Sequence, residues 1–199
     1  MRRPFGKCLV PDLLAHVPAA VALPDGQSTV REYVLHPGAV MVIPLLEDSE
    51  GGIKVVLERQ FRYPVGQVMV EFPAGKLDAG EAGFQCAQRE LLEETGYSAS
   101  EWAFAGIVHP VIAYSTEKIE IWFARGLTLG ELHLDRGEFL DVITATPAEF
   151  MQSCMRGEVT DAKTLVGALW LQNVLGGTWS LDWGTGQPAA YPTRMAPLR

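Results

Sequence analysis

Three glutamates, Glu90, Glu93 and Glu94, stand in a segment that reads as helix from Ala82 to Thr95 and stops at Gly96, where a left-handed cap belongs. At about 100° per residue, Glu93 lies about −60° and Glu94 about +40° around the helix from Glu90, so the three carboxylates share one face. Like charges in that arrangement cost an isolated helix roughly a few tenths of a kcal/mol per pair unless a cation neutralises them. Hard oxygen donors crowded in this way suit Mg²⁺ or Mn²⁺, which take carboxylates, keep some of their water and are commonly shared with substrate phosphates. The chemistry to expect is phosphate chemistry, and the bland alternative is a solvated acidic helix. Two features weigh against the alternative. Gly75 and Gly80 allow the preceding loop a tight turn that brings Glu81 and the carbonyl of Ala74 toward the acidic face, and Arg89, four residues before Glu93, can pair with it and fix its orientation. Phe84, Ala87 and Leu91 form a core stripe on the adjacent face, and Cys86, one turn before Glu90, reads as a small spacer rather than a ligand.

Such a helix needs a frame. Ser28 to His36, Gly38 to Leu46, Ile53 to Phe61 and Val68 to Phe72 read as strands before it, with a Gly- and Ala-rich loop leading in; Trp102 to Val108, Glu117 to Ala124 and Glu138 to Thr144 read as strands after it. Two helices follow, from about Ala148 to Met155 and from Asp161, a plausible N-cap, to Val174. The order is that of an α+β domain with a mixed sheet between helices. Residues 1–27 are expected to be a loosely structured leader or arm, 28–175 the working domain, and 176–199 a Gly-, Pro- and Trp-containing tail packed over the surface.

Hydrophobic residues make up 48% of the 199 and charged residues 20%, which supplies a core and excludes intrinsic disorder. A formal net charge of −8 argues against a partner held through a nucleic-acid backbone, so a phosphate-bearing ligand has to be met by placed arginines or by divalent cations. No apolar run approaches the ~18 residues of a membrane span. Cys8, Cys86 and Cys154 are odd in number and far apart, which favours a reducing compartment and no structural zinc; the start Met1-Arg2-Arg3 is signal-like, but Pro11, Asp12, His16 and Pro18 interrupt the apolar stretch behind it. The expectation is a cytoplasmic protein.

Gly75, Glu81, Arg89, Glu90, Leu91, Glu93, Glu94, Gly96 and Tyr97 match the Nudix box, GX5EX7REUXEEXGU, at its fixed positions. The resemblance implies the Nudix fold, an α/β/α sandwich with a mixed sheet, and Mg²⁺-dependent hydrolysis, with Mn²⁺ as a possible substitute, of a nucleoside diphosphate linked to another moiety. It implies Glu90 and Glu94 as the principal metal ligands, with Glu81, Glu93 and the carbonyl of Ala74 assisting. The flanks Glu58-Arg-Gln-Phe-Arg62-Tyr-Pro64, Glu71-Phe-Pro-Ala-Gly75, Gly137-Glu138-Phe-Leu-Asp141 and Arg156-Gly-Glu158-Val-Thr-Asp161 resemble the ADP-ribose pyrophosphatase branch, over about Val34 to Val174. On that resemblance Arg62 contacts a substrate phosphate, Glu138 is the late catalytic glutamate, and the chain forms a homodimer to which the region from Val21 to Val40 contributes.

Alternatives stay open at this stage. Arg62 can also be read as a surface cation and Glu117, a candidate substrate contact, as a solvated residue opening a strand; Asp135 and Glu117 compete with Glu138 for the role of general base. The four histidines read as structural, and Trp179 and Trp183 as tail aromatics that cap a core edge. The substrate class is a nucleoside diphosphate sugar, with ADP-ribose ahead of others such as GDP-mannose. A non-catalytic nucleotide sensor is opposed by the intact carboxylates of the box and by the lack of a basic recognition helix after Pro147. A scaffold that uses the fold only to dimerise predicts no metal dependence.

Overall fold

The computed structural model describes residues 15–131, 134 and 139–186. Two strands, β1 (Ala15–Ala22) and β2 (Ser28–Leu35), form an antiparallel hairpin in register from Ala15 opposite Leu35 to Ala22 opposite Ser28. β1 lies inside the stretch expected to be a loose leader. Pro18 disguises it in the sequence, yet a two-stranded ribbon has only edges, where a missing N–H is tolerated. From Val17 to Ala22 half-buried and exposed residues alternate with the period of two that one-sided packing requires.

The main sheet is built around β3 (Ala39–Glu47), buried on both faces from Ala39 to Leu45. An apolar run without alternation is what a central strand needs. β4 (Ile53–Arg62), β5 (Gln67–Glu71) and the short β6 (Ala74–Lys76) follow, then helix α1 (Gly83–Thr95), β7 (Tyr97–Val108), β8 (Ile119–Leu129) and β9 (Leu140–Ala145). The strand order is β5-β4-β3-β8-β7, with β6 added to β3 and β9 to β4; β3 and β8 run parallel and the other pairs antiparallel, so the sheet is mixed as expected. β6 was not expected, because Ala-Gly-Lys carries no strand propensity. Its pairing with Ala39–Met41 holds it in place. β8 begins at Ile119, which leaves Glu117 in the loop before it.

Val40 and Val42 of β3 pack on one side with Phe84, Ala87 and Leu91 of α1 and with Trp102 and Trp122. Met41, Ile43 and Leu45 pack on the other with Phe72, with Phe150 of α2 (Pro147–Met155) and with Ala168 and Leu171 of α3 (Ala162–Leu175). The result is helix, sheet, helix. α1 ends at Gly96, whose φ of 72° and N–H bond to the Leu92 carbonyl make the expected left-handed cap. In the tail, Gly184 exchanges backbone hydrogen bonds with Trp102, Trp183 lies under the Arg125 guanidinium and Trp179 meets Trp170 edge-on, so these aromatics do cap the core edge.

Candidate active site

One face of α1 carries Glu90 and Glu94, which are 8% and 3% exposed, and Glu93, which is half-buried. The sequence paired Arg89 with Glu93 alone; the structure makes it the hub of the site. Its Nη1 donates to Glu90 at 2.8 Å and to Glu93 at 3.0 Å, its Nε and Nη2 donate to the two oxygens of Glu81 at 2.9 Å each, and Nη2 also reaches the Lys76 carbonyl at 3.1 Å. One guanidinium therefore orients three carboxylates of the motif. Its hydrogen bonds, joined by one from the Asp78 N–H, hold the Glu81 carboxyl down at about 2. Among the described residues no three His, Cys, Asp or Glu side chains already converge as a cation cage.

The strand β6 seals the motif against the sheet. Ala74 donates its N–H to Glu94 at 2.9 Å, and a Cβ on Gly75 would run into the carboxylate of Glu90, so only glycine lets that carboxylate approach the backbone. Cys86 is buried beneath, its Sγ 3.4 Å from the Lys76 carbonyl, and burial pushes its thiol up, consistent with a spacer.

The floor comes from β4 and β5, where Glu58 and Glu71 stand directly opposite each other, 0% and 2% exposed. Glu71 is satisfied: Arg62 grips it with Nε at 2.7 Å and Nη2 at 2.9 Å, and Lys163 also donates to it. Burial works against its ionisation, but these two cations outweigh it and its pKa falls below the ordinary value. No N–H group donates to either oxygen of Glu58, whose carboxyl lies against that of Glu94. Burial first, and then the charge of Glu71, push it up to about 8.

Glu58 therefore makes metal-free stability depend on pH. The folded carboxyl keeps its proton to about 8 and the unfolded one releases it near 4.5, so the folded state holds the extra proton between these values. Its contribution to stability falls as pH rises through that window. In EDTA the protein is expected to lose melting temperature from pH 6 to pH 9, and Glu58→Gln to flatten that slope. Equal slopes in the two proteins would assign the effect to another group.

The opposite wall is formed by His36 and Glu117, whose Nε2 and Oε1 lie 3.6 Å apart, while His36 Nδ1 accepts the Gly38 N–H at 3.1 Å. Burial holds the imidazole below its usual pKa, and Glu117 opposes that shift. Together these walls enclose an open cleft of about 800 Å³ that is lined by His36, Arg62, Glu71, Glu90, Glu93, Glu94, Glu117 and Lys163. Six of the predicted residues, Arg62, Ala74, Arg89, Glu90, Glu93 and Glu94, border this cleft together, Glu117 joins them from the far wall, and Glu81 reaches it through Arg89. Glu138 and Asp135 lie outside the described residues.

Sequence reasoning missed His36, Glu58, Glu71 and Lys163 as parts of the cleft or its floor. The signal for two of them was available: Glu58 and Glu71 end apolar strand runs at positions that face inward, where a charge is costly unless it is used. His36 carried no comparable signal.

The model of the NUDIX domain matches residues 35–165 of the chain. Over 156 residues the chain is 39% identical to the methanol dehydrogenase activator of Bacillus methanolicus, covering 76% of this chain and 81% of that protein. It is 36% identical over 154 residues to the ADP-ribose pyrophosphatase of Bacillus subtilis (strain 168), with the same two coverages, 76% and 81%. A crystal structure of an ADP compounds hydrolase superposes with a TM-score of 0.73 over 86% of this chain and 91% of that one, at 23% identity, a likeness of fold.

Proposed function

The chain belongs to the NUDIX family, and from that premise we propose that it hydrolyses the pyrophosphate bond of ADP-ribose or a similar nucleoside diphosphate sugar, releasing a nucleoside monophosphate and a sugar phosphate. The observation that carries this reading is that one cleft joins the Glu90–Glu94 carboxylate face to Arg62. A diphosphate needs both: cationic charge on its oxygens and a guanidinium that can hold one phosphate bidentately. The name of the Bacillus subtilis relative supports ADP-ribose as the first substrate to try. Another nucleotide sugar such as GDP-mannose is the runner-up.

The residues fit a divalent cation. The donors are hard oxygens, Gly75 leaves room for a carboxylate against the backbone, and the buried Glu58 carboxyl stands against Glu94. Glu90, Glu94 and the carbonyl of Ala74 would hold Mg²⁺ or Mn²⁺, with Glu81 beside them. When bound, the cation supplies charge that neutralises the diphosphate and acidifies water. The chain does the rest. Arg89 keeps Glu81, Glu90 and Glu93 in fixed rotamers, Glu93 assists at the rim, Arg62 holds a phosphate, and Glu117 contacts the substrate from the far wall. Glu138 takes the proton of the water that attacks phosphorus.

The hairpin β1–β2 exposes Val30 and Leu35, which supports the reading of a homodimer joined through residues 21–40. No helix among the described residues is long and apolar enough to cross a membrane, and cytoplasmic residence remains part of the proposal, as does the division into arm 1–27, catalytic unit 28–175 and tail 176–199.

The test is a substrate panel with Mg²⁺: ADP-ribose, other nucleotide sugars, dinucleoside polyphosphates and nucleoside triphosphates, with products separated and identified. The expected best substrate is ADP-ribose, cleaved to AMP and ribose 5-phosphate. Turnover of triphosphates alone, or of nothing in the panel, would overturn the assignment.

A further inference from the structure

Lys163 has no part in the chemistry just described, yet it sits where a lysine is unexpected. It is the second residue of α3, in the first turn, where the helix dipole disfavours a cation, and its side chain is only 13% exposed. Its Nζ donates to Glu71 and, at 3.0 Å, to Oδ2 of Asp161. The same Asp161 oxygen accepts the Thr164 N–H at 2.9 Å, which caps the helix, while the Thr164 hydroxyl oxygen accepts the Phe72 N–H at 3.2 Å. Asp161, Lys163 and Thr164 thus fasten the start of α3 to the consecutive residues Glu71 and Phe72. Both ends of this attachment lead into the cleft. Glu71 grips Arg62 through two hydrogen bonds, and three residues on from Glu71 the Ala74 N–H is bonded to Glu94.

We propose that Lys163 is a positioning residue for the substrate phosphate, acting through Glu71 to hold Arg62 aimed into the cleft and available to an incoming anion. The inference rests on the reading that Arg62 binds that phosphate.

The physical reason lies in how Glu71 is shared. Its Oε2 accepts from both Arg62 Nη2 and Lys163 Nζ, inside a floor that also holds the buried Glu58. With two cations, the carboxylate is fixed in orientation and its charge is divided. With Arg62 as its only cation, a buried carboxylate would draw the guanidinium inward and hold it against the competing phosphate. Asp161 does not reverse this: the oxygen that meets Lys163 is the one that accepts the Thr164 N–H and caps the helix.

The experiment is steady-state kinetics on ADP-ribose for Lys163→Met, Lys163→Arg, Arg62→Ala and the Arg62→Ala/Lys163→Met pair. Lys163→Met is expected to raise KM about tenfold while kcat and the Mg²⁺ concentration for half-activation change less than about threefold. Lys163→Arg, which restores a cation on Glu71, is expected to recover most of that KM. Arg62→Ala is expected to raise KM more than it lowers kcat, and the double variant to be no worse than Arg62→Ala alone, because Lys163 then has nothing left to aim. If Lys163→Met does not fold, Lys163→Gln, which keeps a donor but no charge, carries the same expectation. An unchanged KM in the Lys163 variant beside a raised KM in Arg62→Ala overturns this inference and leaves the function standing. Additive losses in the double variant overturn it too, by making Lys163 an independent contact. An unchanged KM in Arg62→Ala removes the assignment of Arg62 and the inference with it.

Discussion

Glu94→Gln is expected to lower kcat on the best substrate by at least ~100-fold, about 2.7 kcal/mol of transition-state stabilisation, while the protein stays folded. The substitution is narrow. Glutamine keeps an oxygen that can accept the Ala74 N–H, which Glu94 accepts at 2.9 Å, so the attachment of β6 to α1 survives. What is lost is a negative charge in a wall only 3% exposed, and with it the affinity for a cation. Activity, Mg²⁺ dependence and thermal melts, each with and without EDTA, check this together. Full turnover in EDTA, or in the glutamine variant, would sink the assignment of the carboxylate face to a cation. An unfolded variant would show instead that the fold needs the Glu94 carboxylate itself and not only an oxygen that accepts the Ala74 N–H.

The second large effect is expected at Glu138. A general base must be free of tight coordination and stand about 3 Å from the water it deprotonates. Glu90 and Glu93 are pinned by Arg89, and Glu81 gives both oxygens to the same guanidinium, so the helix itself has little base to offer. Glu117 is within the cleft but 3.6 Å from the His36 imidazole. Glu138 stands in the sequence two residues ahead of Leu140, the first residue of β9, which pairs with Gln60 of β4. Glu138→Gln is expected to lose ~100-fold or more in kcat with little change in KM or in Mg²⁺ affinity, and to recover part of the rate as pH rises and hydroxide becomes abundant. A pH–rate profile of kcat for both proteins reads this. Near-normal kcat at neutral pH in the variant transfers the role, and Glu117→Gln is then the next protein to assay.

Local patterns made most of this molecule legible from its residues. The acidic face of α1 follows from a 3.6-residue period, its end from Gly96, and the existence of β3 from an apolar, β-branched run; each is decided within a few residues. The same holds for the Asp161 cap of α3. Pro18 hid β1, because a local rule against proline in strands gives way when the strand is an edge. β6 was illegible for the converse reason: three residues with no strand propensity become a strand because β3 offers them partners. The motif residues were nameable in sequence as candidates, but their partners were not. Glu58 meets Glu71 only through the β4–β5 register, Lys163 reaches Glu71 across 92 positions of chain, and His36 and Glu117 meet in one wall of the cleft only after β3 and β8 pair in parallel. Spacing along a helix carries the geometry of a carboxylate cluster. Which guanidinium, lysine or imidazole stands against that cluster is decided by strand register and by the packing of α3 on the sheet, since pairings between distant segments have no local period to reveal them.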